Sequence, residues 1–245
     1  MKWAFHLALV VLLLGLCAFG GLGEGALRGA GYAARLWPPE ISYAPKIAGP
    51  VVATVKMAAV GTTLALVTAF PLSFLGCRAR SAPVYAATRF LLSVMRATPT
   101  LVLGIMFVAA MGLGSMAGIL GIWFHSTGAL GKFMSENMDA ADRSVQEAAV
   151  IDGASPWQAF LYVLAPMQAN AILSYYLYYL EANFREAVIL GIVGAGGIGL
   201  ELIAAIGGFK YHRTGLIVMV VIGTSLVLDF VSRVVRQRFL ERVMV

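Results

Sequence analysis

Charge is the scarcest resource in this chain. Of 245 residues, 12% are charged and 60% hydrophobic, and the mean hydropathy is +0.85. Soluble domains carry roughly a quarter charged residues. A globule of this size has no interior large enough to hide the difference, so lipid must solvate much of the surface. Long polar stretches are missing too, which excludes a soluble ATP-hydrolysing domain within the chain. Cysteine is limited to Cys17 and Cys77, both in or beside apolar runs. Neither has a partner at metal-ligand spacing, so a cysteine-held metal and a disulfide framework are excluded. The histidines His6, His125 and His212 are scattered and form no metal set. With no serine–histidine set and no paired intramembrane carboxylates, an integral-membrane enzyme has nothing to rest on. The net charge of +6 comes from cations beside apolar runs, which is a topology signal rather than a sign of nucleic acid.

What is present is a series of apolar runs, each near the roughly 20 residues that a spanning helix needs. The first is Ala4 to Leu22, behind Lys2. A cleaved signal peptide is the competing reading, but the run approaches spanning length and more spans follow. Residues 24–46 form a polar interlude with Trp37-Pro38-Pro39, expected outside the membrane. Further spans are expected at about 47–76, from near Val84 past Pro99 to Ala110, at 116–138, at 167–192 and at 214–231. The fold class expected is therefore an all-α integral membrane protein of about six spans. It divides into an N-terminal helix and extracytoplasmic loop, 1–46, and a membrane domain, 47–240, interrupted by a polar stretch at 139–166.

Loop charge orients it. With the N-terminus inside, Lys2, Arg78, Arg80, Arg143, Arg233, Arg236, Arg238 and Arg242 face the cytoplasm. Arg28, Arg35, Lys46, Lys210 and Arg213 face outside. The excess of basic residues favours this orientation and places both termini and residues 139–166 in the cytoplasm.

Within that stretch, the sequence to Asp152 is a good helix former with alanines at its centre. Gly153 is a helix stop, because glycine takes a left-handed backbone at low cost. Ser155 then suits an N-cap, Pro156 the first helical position and Gln158 the capping-box partner. Trp157, Phe160, Leu161 and Leu164 fall on one apolar stripe, and Pro166 is expected to end the helix. Two capped helices meeting at a fixed bend make either a docking lever or a pair of interfacial helices. Periodicity alone weighs these evenly.

The residue pattern separates them. Glu147-Ala148-Ala149, three residues, Gly153, nine residues, then Val163-x-Ala165-Pro166 closely resembles the EAA loop of ABC-importer permeases. The usual ending is Ile-x-Leu-Pro, so Val163 and Ala165 depart from it. The resemblance extends from about Trp37 to Arg238. Residues 107–120, 125–132, Ser174-Tyr175, Glu181-x-Asn183-x-Arg185 and 191–199 are similar to the phosphonate-type permeases, whose near relatives import phosphite or hypophosphite. The resemblance implies a type I importer transmembrane domain working by alternating access. It also implies a homodimer of this chain, two copies of an ABC ATPase and an extracytoplasmic substrate-binding protein. ATP and magnesium would be held by the ATPase and no cofactor by this chain. A bacterial inner-membrane location follows. Carried over by position, Glu147, Ala148, Ala149, Asp152, Gly153, Ala154 and Trp157 would meet the ATPase.

Intramembrane charges default to functional hypotheses. Arg96, Glu181 and Arg185 are candidate translocation-path residues. Glu181 and Arg185 stand four apart in the favourable order for a pair, so a self-satisfied structural pair is an equal reading. Arg89 is expected to snorkel toward the cytoplasmic face. Gly194-x-Gly196-x-x-Gly199 matches a dinucleotide fingerprint by letter, but it lacks the preceding strand and the acid expected near position 220. Small residues instead permit close helix approach or unwinding. By resemblance Gly194, Gly196, Gly197 and Gly199 contribute to an outer gate. A stand-alone secondary transporter or channel for a small anion is the rival function. It would need no docking loop, and the internal repeat common in such carriers is absent.

Overall fold

In a computed structural model, the structure describes Gly29 and residues 31–78, 81–141 and 144–243; the side chains of Gln146, Glu147 and residues 239–243 are not among those described. The expected first span, Ala4 to Leu22, lies outside the described residues.

Helix α1, Ala44–Leu75, follows a 3-10 turn at Ile41–Tyr43 and carries Pro50 and Pro71 inside it. Helices α2, Ala82–Ala97, and α3, Thr100–Met111, come next. The sequence reads them as one span. The structure bends them by 83° at Thr98-Pro99, because Thr98 takes an extended backbone, as residues before proline do. Helix α4, Ser115–Ala140, is 26 residues, about 39 Å at 1.5 Å per residue. The coupling stretch follows as α5, Ser144–Ile151, α6, Pro156–Ala159, a wider π-helical turn at Phe160–Leu164, and α7, Ala165–Met167. Helix α8, Ala169–Leu190, runs through a second π-helical turn, Gly191–Ala195, into α9, Gly197–Gly207, with a 61° bend between them. Helix α10 spans Tyr211–Val243.

By length and composition, the stretches Ile41–Leu75 and Tyr211–Arg238 can each cross a membrane, and each bent pair can supply one more span. Helix α4 is long enough to cross but is less apolar, for a reason its packing supplies. It lies against α1, α2, α3 and α8, with Ser126 to Gly131 all buried. Lipid does not touch that stretch, so apolar side chains are not required there. Small residues instead bring the helices close. A Cβ on Gly128 would stand 2.5 Å from the Arg96 nitrogen and 2.7 Å from the Leu92 carbonyl oxygen. This is the small-residue packing that membrane helices use in place of a hydrophobic driving force.

The main core gathers Met57, Ile122, Phe184, Leu190, Ile198 and Ile217 from α1, α4, α8, α9 and α10. Polar groups inside it are matched. Asn183 donates to Thr62 Oγ1 at 2.8 Å and to Ser126 Oγ at 2.9 Å, and its carbonyl accepts from Ser126 at 3.2 Å. One amide thereby joins α8 to α1 and α4, satisfying groups that hydrocarbon would leave unpaired.

Candidate functional site

The coupling stretch forms the bend that the sequence describes. Gly153 has φ +96, and its N–H donates to the Val150 carbonyl at 3.1 Å while Ala154 N–H reaches Ala149 at 3.0 Å. These two bonds close the end of α5 as a Schellman motif. Nothing lies within 4 Å of a Cβ built on Gly153, so backbone conformation rather than crowding calls for glycine. The capping box is complete: Gln158 N–H donates to Ser155 Oγ at 3.3 Å, and Ser155 N–H donates to Gln158 Oε1 at 2.8 Å.

The helix does not end at Pro166. The π-helical turn Phe160–Leu164 precedes it, with Ala165 N–H reaching the Phe160 carbonyl. That wider turn absorbs the donor that proline lacks, and the break falls at Gln168 instead, with φ −98 and ψ 7.

The apolar stripe is the attachment of this lever to the membrane domain. Phe160 is 1% exposed and meets Phe70 and Phe74 of α1 at ring separations of 5.3 and 4.9 Å. Trp157 stacks on Phe160 at 5.4 Å and stands edge-on to Phe74 at 4.8 Å. The opposite surface is open. Ala148, Asp152 and Gly153 are exposed, Ala149 and Ala154 half-buried, and the Glu147 side chain lies outside those described. Sequence reasoning missed Ile151 and Tyr162, which are 83% and 72% exposed. An apolar residue that breaks the inward stripe was the signal for both.

The path candidates divide. Arg185 donates to Glu181 on the same face of α8, so the pair forms as spacing predicts, and Arg185 remains half exposed. Arg96 ends α2 with its guanidinium 6.0 Å from the Phe133 ring centre. Among the described residues no ion pair joins it to Glu181. Lys56, midway along α1, is exposed as well. Charges on spanning helices are not left against acyl chains, so these faces require water or protein beside them.

The glycines expected at a gate build the α8–α9 bend. Gly194, Gly196 and Gly197 have φ of +105, +84 and +69. A Cβ on Gly199 would overlap the Val188 carbonyl oxygen, so the two helices cross at backbone contact. The Gly194 carbonyl accepts from Gly114 N–H at 3.1 Å, and Thr54 Oγ1 accepts from Ile198 N–H at 2.9 Å. The bend is thus fastened to the α3–α4 turn and to α1.

Beyond α9, Arg213 donates to Glu40 at 2.8 Å and lies 4.5 Å over the Tyr43 ring, and the Tyr43 hydroxyl donates to Glu201 at 2.9 Å. The hydrogen bond from Arg213 holds the Glu40 carboxyl below the usual carboxylate range. These contacts strap the segment before α1 to the middle of α9 and the start of α10.

Comparison with known proteins agrees with this architecture. Residues 61–243 match the family model described as the binding-protein-dependent transport system inner membrane component. The phosphite transport system permease protein PtxC of Stutzerimonas stutzeri is 33% identical over 98% of this chain and 91% of its own length. The phosphate-import permease protein PhnE of Mycolicibacterium smegmatis is 32% identical over 84% of this chain and 39% of its own. Among solved structures, the MetNI methionine ABC transporter in an inward-facing conformation superposes with TM-score 0.68 at 17% identity, covering 78% of this chain and 95% of that one. An amino acid ABC transporter gives 0.67 at 18%, covering 81% and 96%. At these identities the likeness is one of fold.

Proposed function

The chain belongs to the family of binding-protein-dependent transport system inner membrane components, and from that premise we propose that it is the permease subunit of an ATP-driven importer for a phosphorus oxyanion. Phosphite, phosphonate and phosphate are the substrate class that its relatives' names carry. The chain supplies the path and the coupling lever. ATP is hydrolysed by a separate ATPase, two copies of which dock on two copies of this chain, and an extracytoplasmic binding protein delivers the substrate. Both termini face the cytoplasm.

The observation that carries this reading is the exposed, bent helix pair closed at Gly153. Its inner face is packed on Phe70 and Phe74, and its outer face offers Ala148, Asp152 and Gly153 with the apolar side chain of Ile151. Small residues let a partner approach the backbone, and an exposed aliphatic side chain gives it apolar area to bury. Exposed charges on α1 and α8 support the homodimer, since a second copy around a water-filled path gives Lys56 and Arg185 an environment that lipid cannot. In the cycle, ATP draws the paired ATPases together, the two levers follow, and the spans turn outward to receive substrate.

The test is co-purification with the partner ATPase. The wild-type chain is expected to retain it, and Gly153→Asp and Glu147→Arg to lose it while still accumulating in the membrane; at Gly153 the φ of +96 makes any side chain strain the bend itself. Retention by both variants, or substrate uptake by this chain alone in vesicles, would refute the reading. The ligand held by the binding protein then identifies the oxyanion.

A further inference from the structure

The lever has a second attachment, at its root, made by Arg89 of α2. This side chain turns in among its neighbours rather than snorkelling outward. It is 16% exposed and sits between the cytoplasmic ends of three helices. Nε donates to the Gly76 carbonyl at the end of α1 at 2.9 Å. Nη1 donates to Glu136 Oε1 at 3.0 Å and Nη2 to Asp139 Oδ2 at 2.9 Å, both in the last turns of α4. The other Asp139 oxygen accepts from Arg78 N–H at 2.8 Å. The guanidinium lies 5.2 Å from the centre of the Tyr85 ring. Helix α4 ends at Ala140 and α5 begins at Ser144, so Asp139 stands directly where the lever leaves the membrane domain.

We infer that Arg89 is a positioning residue for energy coupling: it fixes the root of the lever to α1 and α2. This rests on the coupling reading given above. With Phe160 and Trp157 at the far end, both attachments of the lever converge on the last turns of α1, at Phe70, Phe74 and Gly76. Helix α1 is therefore the element that receives the lever's displacement, although the chain is continuous with α4 and α8. The planar fork of arginine serves three acceptors in different directions, and a lysine ammonium cannot reproduce that geometry. A cleft of about 480 Å³, lined by Arg78, Tyr85, Arg89, Glu136, Asp139 and Ala140, opens the node to water on one side. Removing the guanidinium therefore lets solvent reach the two carboxylates, and the helices can still assemble.

The assembly of this chain, its ATPase and its binding protein is reconstituted in liposomes, and ATP hydrolysed per substrate imported is measured with phosphite as the first probe. Arg89→Gln is expected to keep the ATPase bound and raise the ratio about tenfold, the factor that about 1.4 kcal/mol of lost positioning gives; Arg89→Lys falls between. A nitroxide on Val145→Cys, an exposed position near the root of the lever, with Cys17→Ser and Cys77→Ser as background, is expected to become more mobile in Arg89→Gln. A wild-type ratio with an unchanged nitroxide spectrum overturns the Arg89 role. If Arg89→Gln does not accumulate, Asp139→Asn reads the same ratio, and a wild-type value there overturns it equally. A wild-type chain that binds no ATPase overturns the coupling reading itself, a result separate from either.

Discussion

At the scale of single residues, the chain's chemistry rests on a few side chains whose partners decide their meaning. Glu40 is an ordinary glutamate in the sequence; in the structure it is the acidic half of the strap to Arg213. Its carboxyl is held low chiefly by that hydrogen bond. A depressed carboxyl contributes its stability in full above the unfolded value and loses it as pH falls through the folded one. The strap is therefore expected to hold at neutral pH and to release below about pH 4. The thermal midpoint of the detergent-solubilised chain checks this: the gap between wild type and Glu40→Gln should be open at pH 7 and close as the pH falls below 4. Arg185 is the complementary case. Its bond to Glu181 satisfies part of its charge, yet half the side chain stays exposed. In a dimer around an aqueous path that exposed part is available to an anion. Uptake by Arg185→Gln, normalised to expression, is expected to fall at least several-fold; uptake near the wild-type level would leave Arg185 as a packing residue.

Elements were legible where their signals are local. The end of α5 at Gly153 and the start of α6 at Ser155 could be read directly, because a Schellman turn and a capping box each involve only a few consecutive residues. Pro166 misled for the opposite reason. Its missing donor is absorbed by the π-helical turn before it, and nothing in the spacing distinguishes that turn from an α-helical one. The 83° bend between α2 and α3 was also hidden, since an extended residue before Pro99 costs no hydrophobicity. The glycines of the α8–α9 bend were visible, but their separate duties were not. Gly199→Ala is expected to cost roughly 1–3 kcal/mol, as overpacking at backbone contact does, because its Cβ meets the Val188 carbonyl and the Gly191 backbone. Gly207→Ala, with open space around it, is the matched control and should be neutral or slightly stabilising. Thermal unfolding of the two variants side by side separates them.

For the whole molecule, the apolar composition and the six expected runs set a membrane protein with a polar interruption; among the described residues two stretches can each cross a membrane and each bent pair can supply one more span. Helix α4 sits at the centre, against α1, α2, α3 and α8, because its glycines let those neighbours approach closely. The lever is tied to α1 twice, by rings at one end and by Arg89 at the other. That arrangement gives a partner's push a defined receiver, and it leaves the face carrying Ala148, Ile151 and Gly153 free.

The sequence by itself determined the class of protein, the existence of the bent lever and the Glu181–Arg185 pair, because hydropathy, capping and i,i+4 spacing all act within one segment. Tertiary structure decided what those segments touch. Arg89 reads as a snorkelling cation because its three acceptors, Gly76, Glu136 and Asp139, are 13, 47 and 50 residues away, and no local pattern encodes such a meeting. Trp157 reads as one residue of an apolar stripe, and only the fold sets it against Phe74 while leaving it partly exposed. The physical reason is the same in both cases. Local backbone energetics are written in neighbouring residues, whereas the pairing of distant charges and rings exists only once the helices have packed.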